Sequence, residues 1–470
     1  MKRSPLLYAI ALIAFTLTIG CAPSPLVRPE GIHYPPLRFS TPTVERVELA
    51  NGIVLFVLED HELPLINITA VVRTGSVYDP VGKEGLADMT ASVMRTGGTV
   101  HMTGDEIDEA LDYMAATISV SAGRESATVT LSVMKQDIDM GLKVFSDILI
   151  NPIFDEDKLR IAKELKIEAL RRVYDNPQTM AFREFTRLFY RGNPRGRLDS
   201  VRSVTNIARV DMARFHRQFF FPANIMMAVT GDITKDEAVA KITGRFGTWA
   251  TIGSVETIPP PAKHDSPSLN YLHKDVPQSI IILGNLGPGK KDPDYYTFEI
   301  LDFIIGSGGF RSRIFDEVRS ARGLAYSAGS FYAPRPAYGV FGAYAFTKTA
   351  STAESLSVIR SILEDVKISA IGNENLHWAK KSIDSAFIFS FTSPSQIALQ
   401  RLMLEYNGLP EDFLKTYRPM IQQVSPDDLQ RVAQKYLLQE CETTLVVGNA
   451  QHFDRPLSEF GVVNEVKGHD

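Results

Sequence analysis

The hydrophobic positions along this chain change period repeatedly, and the changes mark out strands interleaved with helices. Val54-Leu55-Phe56-Val57 and the run Ile66 to Val72 are short apolar segments rich in β-branched residues, the signature of strands. Ile118 and Val120, then Ala127, Val129, Leu131 and Val133, alternate on either side of Gly123, which predicts a hairpin. The stretch from Gly85 to Gly98 is amphipathic at helical spacing. Thr103-Gly104-Asp105-Glu106 is a capping box, followed by Ile107, Ala110, Leu111 and Met114 on one helical face. Leu159, Ala162, Leu165 and Ala169 predict a long helix. Strands mixed with helices in this way predict an α+β fold, with a sheet covered by helices on one face.

The pattern occurs twice. Asp79-Pro80 is predicted to open a helix ending near Gly97-Gly98, and Asp292-Pro293 another ending near Gly308-Gly309. Asn176-Pro177-Gln178 returns as Ser393-Pro394-Ser395-Gln396, and Val229-Thr230-Gly231-Asp232 as Val446-Val447-Gly448-Asn449. The separations are 213, 217 and 217 residues, so independent landmarks agree on two homologous halves. The polar, proline-rich stretch 257–267 is the expected linker, placing one half at 44–256 and the other at 268–465.

Composition and charge narrow the function. The 470 residues, 44% hydrophobic and 22% charged, suit globular domains with sizeable cores. A net charge of -5 without a basic run argues against nucleic acid as a partner. Lys2 and Arg3 precede an apolar run from Leu6 to Ile19, too short for an ordinary spanning helix and of signal-peptide type. The run ends in Leu17-Thr18-Ile19-Gly20-Cys21, which resembles the lipobox of bacterial lipoproteins, so residues 1–21 read as a lipoprotein signal with Cys21 as the lipidation site. The alternative is a signal cleaved elsewhere that happens to contain a cysteine. Residues 22–43 carry Pro23, Pro25, Pro29, Pro35, Pro36 and Pro42, a semi-rigid tether. Ala22 lacks the aspartate of inner-membrane retention. The expected location is therefore the bacterial cell envelope, lipid-anchored and periplasm-facing, with the outer membrane favoured.

Several ordered cues carry a family resemblance: Glu59-Asp60-His61-Glu62-Leu63-Pro64, Thr74-Gly75-Ser76, Tyr174-Asp175-Asn176-Pro177, Phe219-Phe220-Phe221-Pro222-Ala223-Asn224, Val229-Thr230-Gly231-Asp232, Arg322-Gly323-Leu324-Ala325-Tyr326 and Gly408-Leu409-Pro410. In this order and spacing, from about Val44 to Val462, they resemble the pitrilysin/insulinase metallopeptidases, the inverted zincins, in their short bacterial form. The resemblance implies a clamshell of two similar halves enclosing a chamber. It also implies that the Gly85–Gly98 helix is where H-x-x-E-H would hold zinc. Here those positions read Asp88, Ala91 and Ser92, and the position of the third ligand reads Ala169. Serine is a poor zinc ligand and alanine none, so no metal is expected in this chain. Glu168 lies about 100° round the helix from the required face, and none of the nine histidines has another three or four residues away.

The resemblance further implies a two-chain arrangement, since in short bacterial members of this family two chains often pair, one carrying zinc and the other an arginine and a tyrosine seven residues apart. Arg319 and Tyr326 match that pair. A fixed guanidinium and phenol suit the oxyanion of a tetrahedral intermediate, although arginine in a helix's last turn and tyrosine in a strand are also ordinary structural choices. Gly306, Gly308 and Gly309 resemble the family's loop near bound peptide, where absent side chains admit a backbone; a helix cap followed by a turn explains them equally. The resulting expectation is a zinc-free subunit of a heterodimeric zinc metallopeptidase acting in proteolysis. Arg319 and Tyr326 would be its catalytic groups, Gly306, Gly308 and Gly309 its substrate-binding positions, and an H-x-x-E-H homologue its partner, holding the zinc. The alternative is a non-catalytic peptide-binding or assembly scaffold lipoprotein.

Overall fold

Strands that are apolar at every position, rather than at every second one, need cover on both faces of their sheet. Val54 to Val57 and Ile280 to Leu283 are buried throughout, and the fold supplies that cover from two directions. The computed structural model describes residues 43–250 and 253–468. The signal-peptide, Cys21 and tether readings on residues 1–42 lie outside the described residues.

Two six-stranded sheets form. The first is ordered β1 (Glu45–Glu48), β2 (Val54–Glu59), β6 (Ile225–Gly231), β3 (Leu65–Val72), β5 (Ala127–Met134), β4 (Thr117–Ala122). The second is ordered β12 (Val463–Glu465), β7 (Ser268–His273), β11 (Thr443–Gly448), β8 (Gln278–Gly287), β10 (Gly339–Lys348), β9 (Ala325–Pro334). β2 runs parallel to β6 with Val57 opposite Val229, and β7 runs parallel to β11 with Leu272 opposite Val447. β3 and β8 pair antiparallel with β6 and β11 respectively, and the hairpin expected about Gly123 joins β4 to β5 with Ala122 opposite Ala127. The halves differ at one edge, where β1 is antiparallel to β2 but β12 is parallel to β7.

The helices of the first half are α1 (Leu86–Thr96), α2 (Gly104–Tyr113), α3 (Ile138–Ile150), α4 (Glu156–Val173), α5 (Pro177–Phe189), α6 (Val201–Thr205), α7 (Arg209–Phe219) and α8 (Lys235–Phe246). Those of the second are α9 (Tyr295–Asp302), α10 (Thr352–Ile368), α11 (Asn373–Phe387), α12 (Pro394–Tyr406), α13 (Phe413–Gln423) and α14 (Pro426–Tyr436). Leu55 and Val57 face one core with the first half's own helices, and Ile281 and Leu283 face the equivalent core of the second. This is the α+β clamshell of two homologous halves.

The opposite sheet faces are covered by exchange. Val54, Phe56, Val71 and Ala228 of the first sheet pack against Ala398, Leu402 and Tyr406 of α12. Ile280, Ile282, Leu445 and Val447 of the second pack against Met180, Ala181, Phe185 and Phe189 of α5. α5 and α12 are the helices opened by the repeated Asn176-Pro177 and Ser393-Pro394 caps, in which Asn176 and Ser393 accept from the first-turn N–H groups and proline sits at the first helical position. Each fully buried Leu or Phe on these helices contributes about 1.5–3 kcal/mol, so each half stabilises the sheet of the other. Polar contacts fix the exchange. Tyr406 Oη donates to Glu125 O at 2.7 Å, and the Arg73 guanidinium lies 4.3 Å from the centre of the Tyr406 ring.

The predicted helices form, with two differences. Asp79-Pro80 does not open α1, because Gly82 and Gly85 adopt φ of 81° and 99° and hold the intervening residues in turns. On α4 the apolar residues do not all enter a core: Leu159 is buried, whereas Leu165 is 68% exposed and Ala169 is exposed.

Candidate functional site

Asp79 caps α1 from outside the helix. Its carboxylate accepts from Gly85 N at 2.7 Å and Ala87 N at 2.8 Å. Burial raises its pKa to about 7, against the lowering effect of those two donors. This cap orients the helix that carries Asp88, Ala91 and Ser92.

α4 packs beside α1 and brings Lys166 to Asp88, with Nζ 2.8 Å from Oδ2. The same ammonium is 2.8 Å from Asp199 Oδ2, and Arg183 of α5 closes the network at 2.8 Å from Asp199 Oδ1. Burial alone would lower the Lys166 pKa, but Asp199 and Asp88 outweigh it and raise it, so the side chain stays cationic. Ala91 is buried and Ser92 is exposed. Ala169 is one turn beyond Lys166 on the same face of α4 and offers only a methyl group. Glu168 turns away and pairs with Arg172 at 2.9 Å. Structural and catalytic zinc sites take three or four imidazole, thiolate or carboxylate ligands. These positions provide one carboxylate, already neutralised by an internal ammonium, and do not fit the metal. Among the described residues, no three His, Cys, Asp or Glu side chains are grouped to hold a metal ion.

The second half builds a different surface. After α9 the chain passes through Phe303–Ser307, a π-helical segment, and after the glycine loop through a second one, Phe315–Ala321, which carries Arg319. Gly323 with φ of 61° ends this segment and β9 begins at Ala325, so Tyr326 stands at the start of the sheet's edge strand. The Arg319 guanidinium lies 4.7 Å from the Phe315 ring centre and 5.6 Å from that of Tyr326. Among the described residues it has no carboxylate partner, so the two rings hold it by cation–π contact and its N–H groups remain free. Tyr326 is 73% exposed, and the 80%-exposed Phe310 extends the patch with its ring 4.8 Å from that of Phe315.

The three glycines divide by what surrounds them. A Cβ on Gly306 would lie 2.3 Å from Ser330 N of β9, and one on Gly308 2.6 Å from the Trp378 ring of α11. There the absent side chains admit the protein's own strand and helix. Gly309, with φ of 73°, has nothing within 4 Å of a built Cβ and opens outward. The structure thus brings Phe310, Arg319 and Tyr326 onto one surface, while Asp88, Ala91, Ser92 and Ala169 belong to the other half. Lys166, Asp199 and Arg183 were not singled out from sequence. The available signal was the three-residue spacing of Lys166 from Ala169, which places both on one helical face.

Comparison with known proteins finds matches to both halves of the chain. Residues 56–198 match the family model described as Insulinase (Peptidase family M16), and residues 206–383 the one described as Peptidase M16 inactive domain. An uncharacterized zinc protease of Rickettsia bellii is 24% identical over 82% of this chain and 90% of its own. A crystal structure of a peptidase M16 inactive domain from Pseudomonas fluorescens superposes with a TM-score of 0.80 at 21% identity, over 88% of this chain and 99% of that one. A protease from Helicobacter pylori superposes with a TM-score of 0.78 at 21% identity, over 86% and 99%.

Proposed function

The chain belongs to the insulinase family, peptidase family M16, and we propose that within it this protein is the zinc-free subunit of a two-chain zinc metallopeptidase. The observation that carries the reading is the Arg319 guanidinium, held between the Phe315 and Tyr326 rings without a carboxylate partner. A guanidinium and an exposed phenol are donors suited to the oxyanion of peptide hydrolysis. The Asp88 position, in contrast, is closed by an internal lysine. A homologous chain with intact H-x-x-E-H would supply the metal and the general base. This chain would supply Arg319, Tyr326 and half of the enclosure, with Gly309 beside the bound peptide. Lipidation of Cys21 would place the pair on the periplasmic side of the envelope, at the outer membrane.

Co-expression with an H-x-x-E-H homologue and assay on a quenched fluorogenic peptide library test this. The pair is expected to turn over peptide and this chain alone is not. Arg319→Ala should lower kcat by about 10²–10³ while the two chains still co-purify. Stoichiometric zinc with turnover in this chain alone, or full activity of the Arg319→Ala pair, overturns the proposal. A stable pair without turnover favours an assembly scaffold instead. Labelled palmitate incorporation that disappears in Cys21→Ser tests the anchor.

A further inference from the structure

The second half holds a cavity of about 470 Å³ between α9, α11, α12 and α13, lined by none of Asp88, Lys166, Arg319 or Tyr326. Its walls are aromatic and aliphatic: the Phe387 ring stacks on Tyr417 at 4.9 Å and 12°, and Tyr295 lies 5.9 Å from Phe413. Two charged side chains line it, Glu299 and Lys290. Glu299 Oε1 accepts from Tyr417 Oη at 2.7 Å and the Tyr295 hydroxyl also acts on the carboxylate, while Oε2 is buried without a partner in hydrogen-bond geometry. Lys290 is half-buried and its ammonium makes no hydrogen bond or ion pair with a described residue.

An acid and a base thus line one cavity without pairing directly with each other, and one oxygen of the acid is left without a partner. Removing a charge from water without compensation costs several kcal/mol in effect, and the two groups respond in the neutralising directions. Burial raises the Glu299 pKa and lowers that of Lys290. A bound molecule carrying opposite charges at matching ends would restore both. One bearing an ammonium and a carboxylate on a single carbon bridges groups too far apart for a direct pair, since each charged hydrogen bond adds about 2.8 Å. The remaining wall is mostly apolar and aromatic, with Ser390, Gln400 and Asn407 as its polar members, so it takes a largely hydrophobic body, and the volume lies within the ordinary range for small-molecule sites.

We propose that this cavity binds a zwitterionic α-amino acid with a large apolar side chain, its ammonium on Glu299, its carboxylate on Lys290, and its side chain against Phe387, Phe413 and Tyr417. One wall is formed by α12 through Met403 and Leu404, and Met403 also packs against the cluster by which that helix covers the first sheet. The ligand therefore sits beside the helix that links the halves. The site is independent of the proposed peptidase role and stands whether or not a zinc-bearing partner exists.

Isothermal titration calorimetry of the full chain with L-leucine and L-phenylalanine tests it, alongside their amides, which lack the carboxylate, and their N-acetyl forms, which lack the ammonium. At least one amino acid is expected to bind, and both of its derivatives at least about tenfold more weakly, as expected for loss of one charged hydrogen bond. Glu299→Gln and Lys290→Met should weaken binding similarly. Glu299→Gln keeps an acceptor for Tyr417 Oη and should leave the melting temperature little changed. Absence of binding by both amino acids, equal binding of a blocked form, or unchanged affinity in folded variants overturns the proposal. If a variant fails to fold, the comparison of blocked and free ligands on the wild-type chain decides.

Discussion

The Lys166 ammonium lies 2.8 Å from the Asp88 carboxylate and 2.8 Å from that of Asp199. It is a side-chain cation beside the helix that carries Asp88, Ala91 and Ser92. Asp199 is mostly buried and also receives Arg183, so the network is embedded between α1, α4 and α5 rather than spread over the surface. The consequence is structural: α4 is tied to α1 by charge.

Lys166→Ala should destabilise the protein by about 1–3 kcal/mol, since it leaves Asp199 short of a partner inside the fold. Asp88→Ala removes the half-exposed end of the network and should cost less than about 1 kcal/mol. Urea unfolding of both variants checks the order; equal costs would show that the buried Asp199 contact is not the stronger one.

The glycine loop should separate into packing and conformational roles. Gly306→Ala drives a methyl toward Ser330 N, 2.3 Å from its ideal position, and is expected to cost about 1–3 kcal/mol or more as overpacking. Gly309→Ala meets no atom but must hold φ of 73°, a penalty of about 1 kcal/mol. Thermal melts of the two variants should rank in that order.

Stability should fall with rising pH through Asp79. Its folded pKa, about 7, exceeds the ordinary value of 3.8. Its contribution is therefore fully present below pH 3.8 and is lost as the pH rises through about 7. Between about pH 5 and 8 that loss is roughly 2–3 kcal/mol. Asp79→Asn should remove it, so unfolding free energies of wild type and variant, measured at both pH values, should converge toward the acid end.

His216 works in the opposite direction. Its Nε2 donates to Leu149 O at 2.9 Å, and burial lowers its pKa to about 4. Stability from the neutral ring is present above its ordinary pKa of 6.5 and is lost as the pH falls through about 4, at up to roughly 3 kcal/mol. His216→Gln should flatten the acid limb of the stability curve even if it lowers the plateau; an unchanged limb would remove His216 as its cause.

Leu402→Ala in α12 should destabilise by about 2–5 kcal/mol, as for other buried leucines. The effect should be read in the first half, although the substitution lies in the second. Hydrogen exchange is expected to accelerate in β2 and β6, whose outer face α12 covers, more than in β8.

The strands, the hairpin about Gly123 and the two-half repeat were legible in the sequence, because each is written in local period or in repeated caps at matching separations. Arg319 and Tyr326 were marked as a pair only by the family resemblance, and that the guanidinium lies 5.6 Å from the Tyr326 ring centre is a matter of the fold. The Asp79-Pro80 helix start was misread, since a proline-led turn and a proline-led helix look alike until the φ angles of Gly82 and Gly85 are known. Tertiary structure alone decided which sheet each amphipathic helix would cover. An apolar stripe states that a face must be buried, not against what, so the exchange of α5 and α12 has no local signature. The same holds for Lys166: its charge was visible, but its pairing across 78 residues to Asp88 depends on how α4 lies beside α1. The sequence by itself determined which ligand chemistry Asp88, Ala91, Ser92 and Ala169 lack, because that is a property of side-chain type. What stands in that place instead is a property of packing, and only the fold decided it.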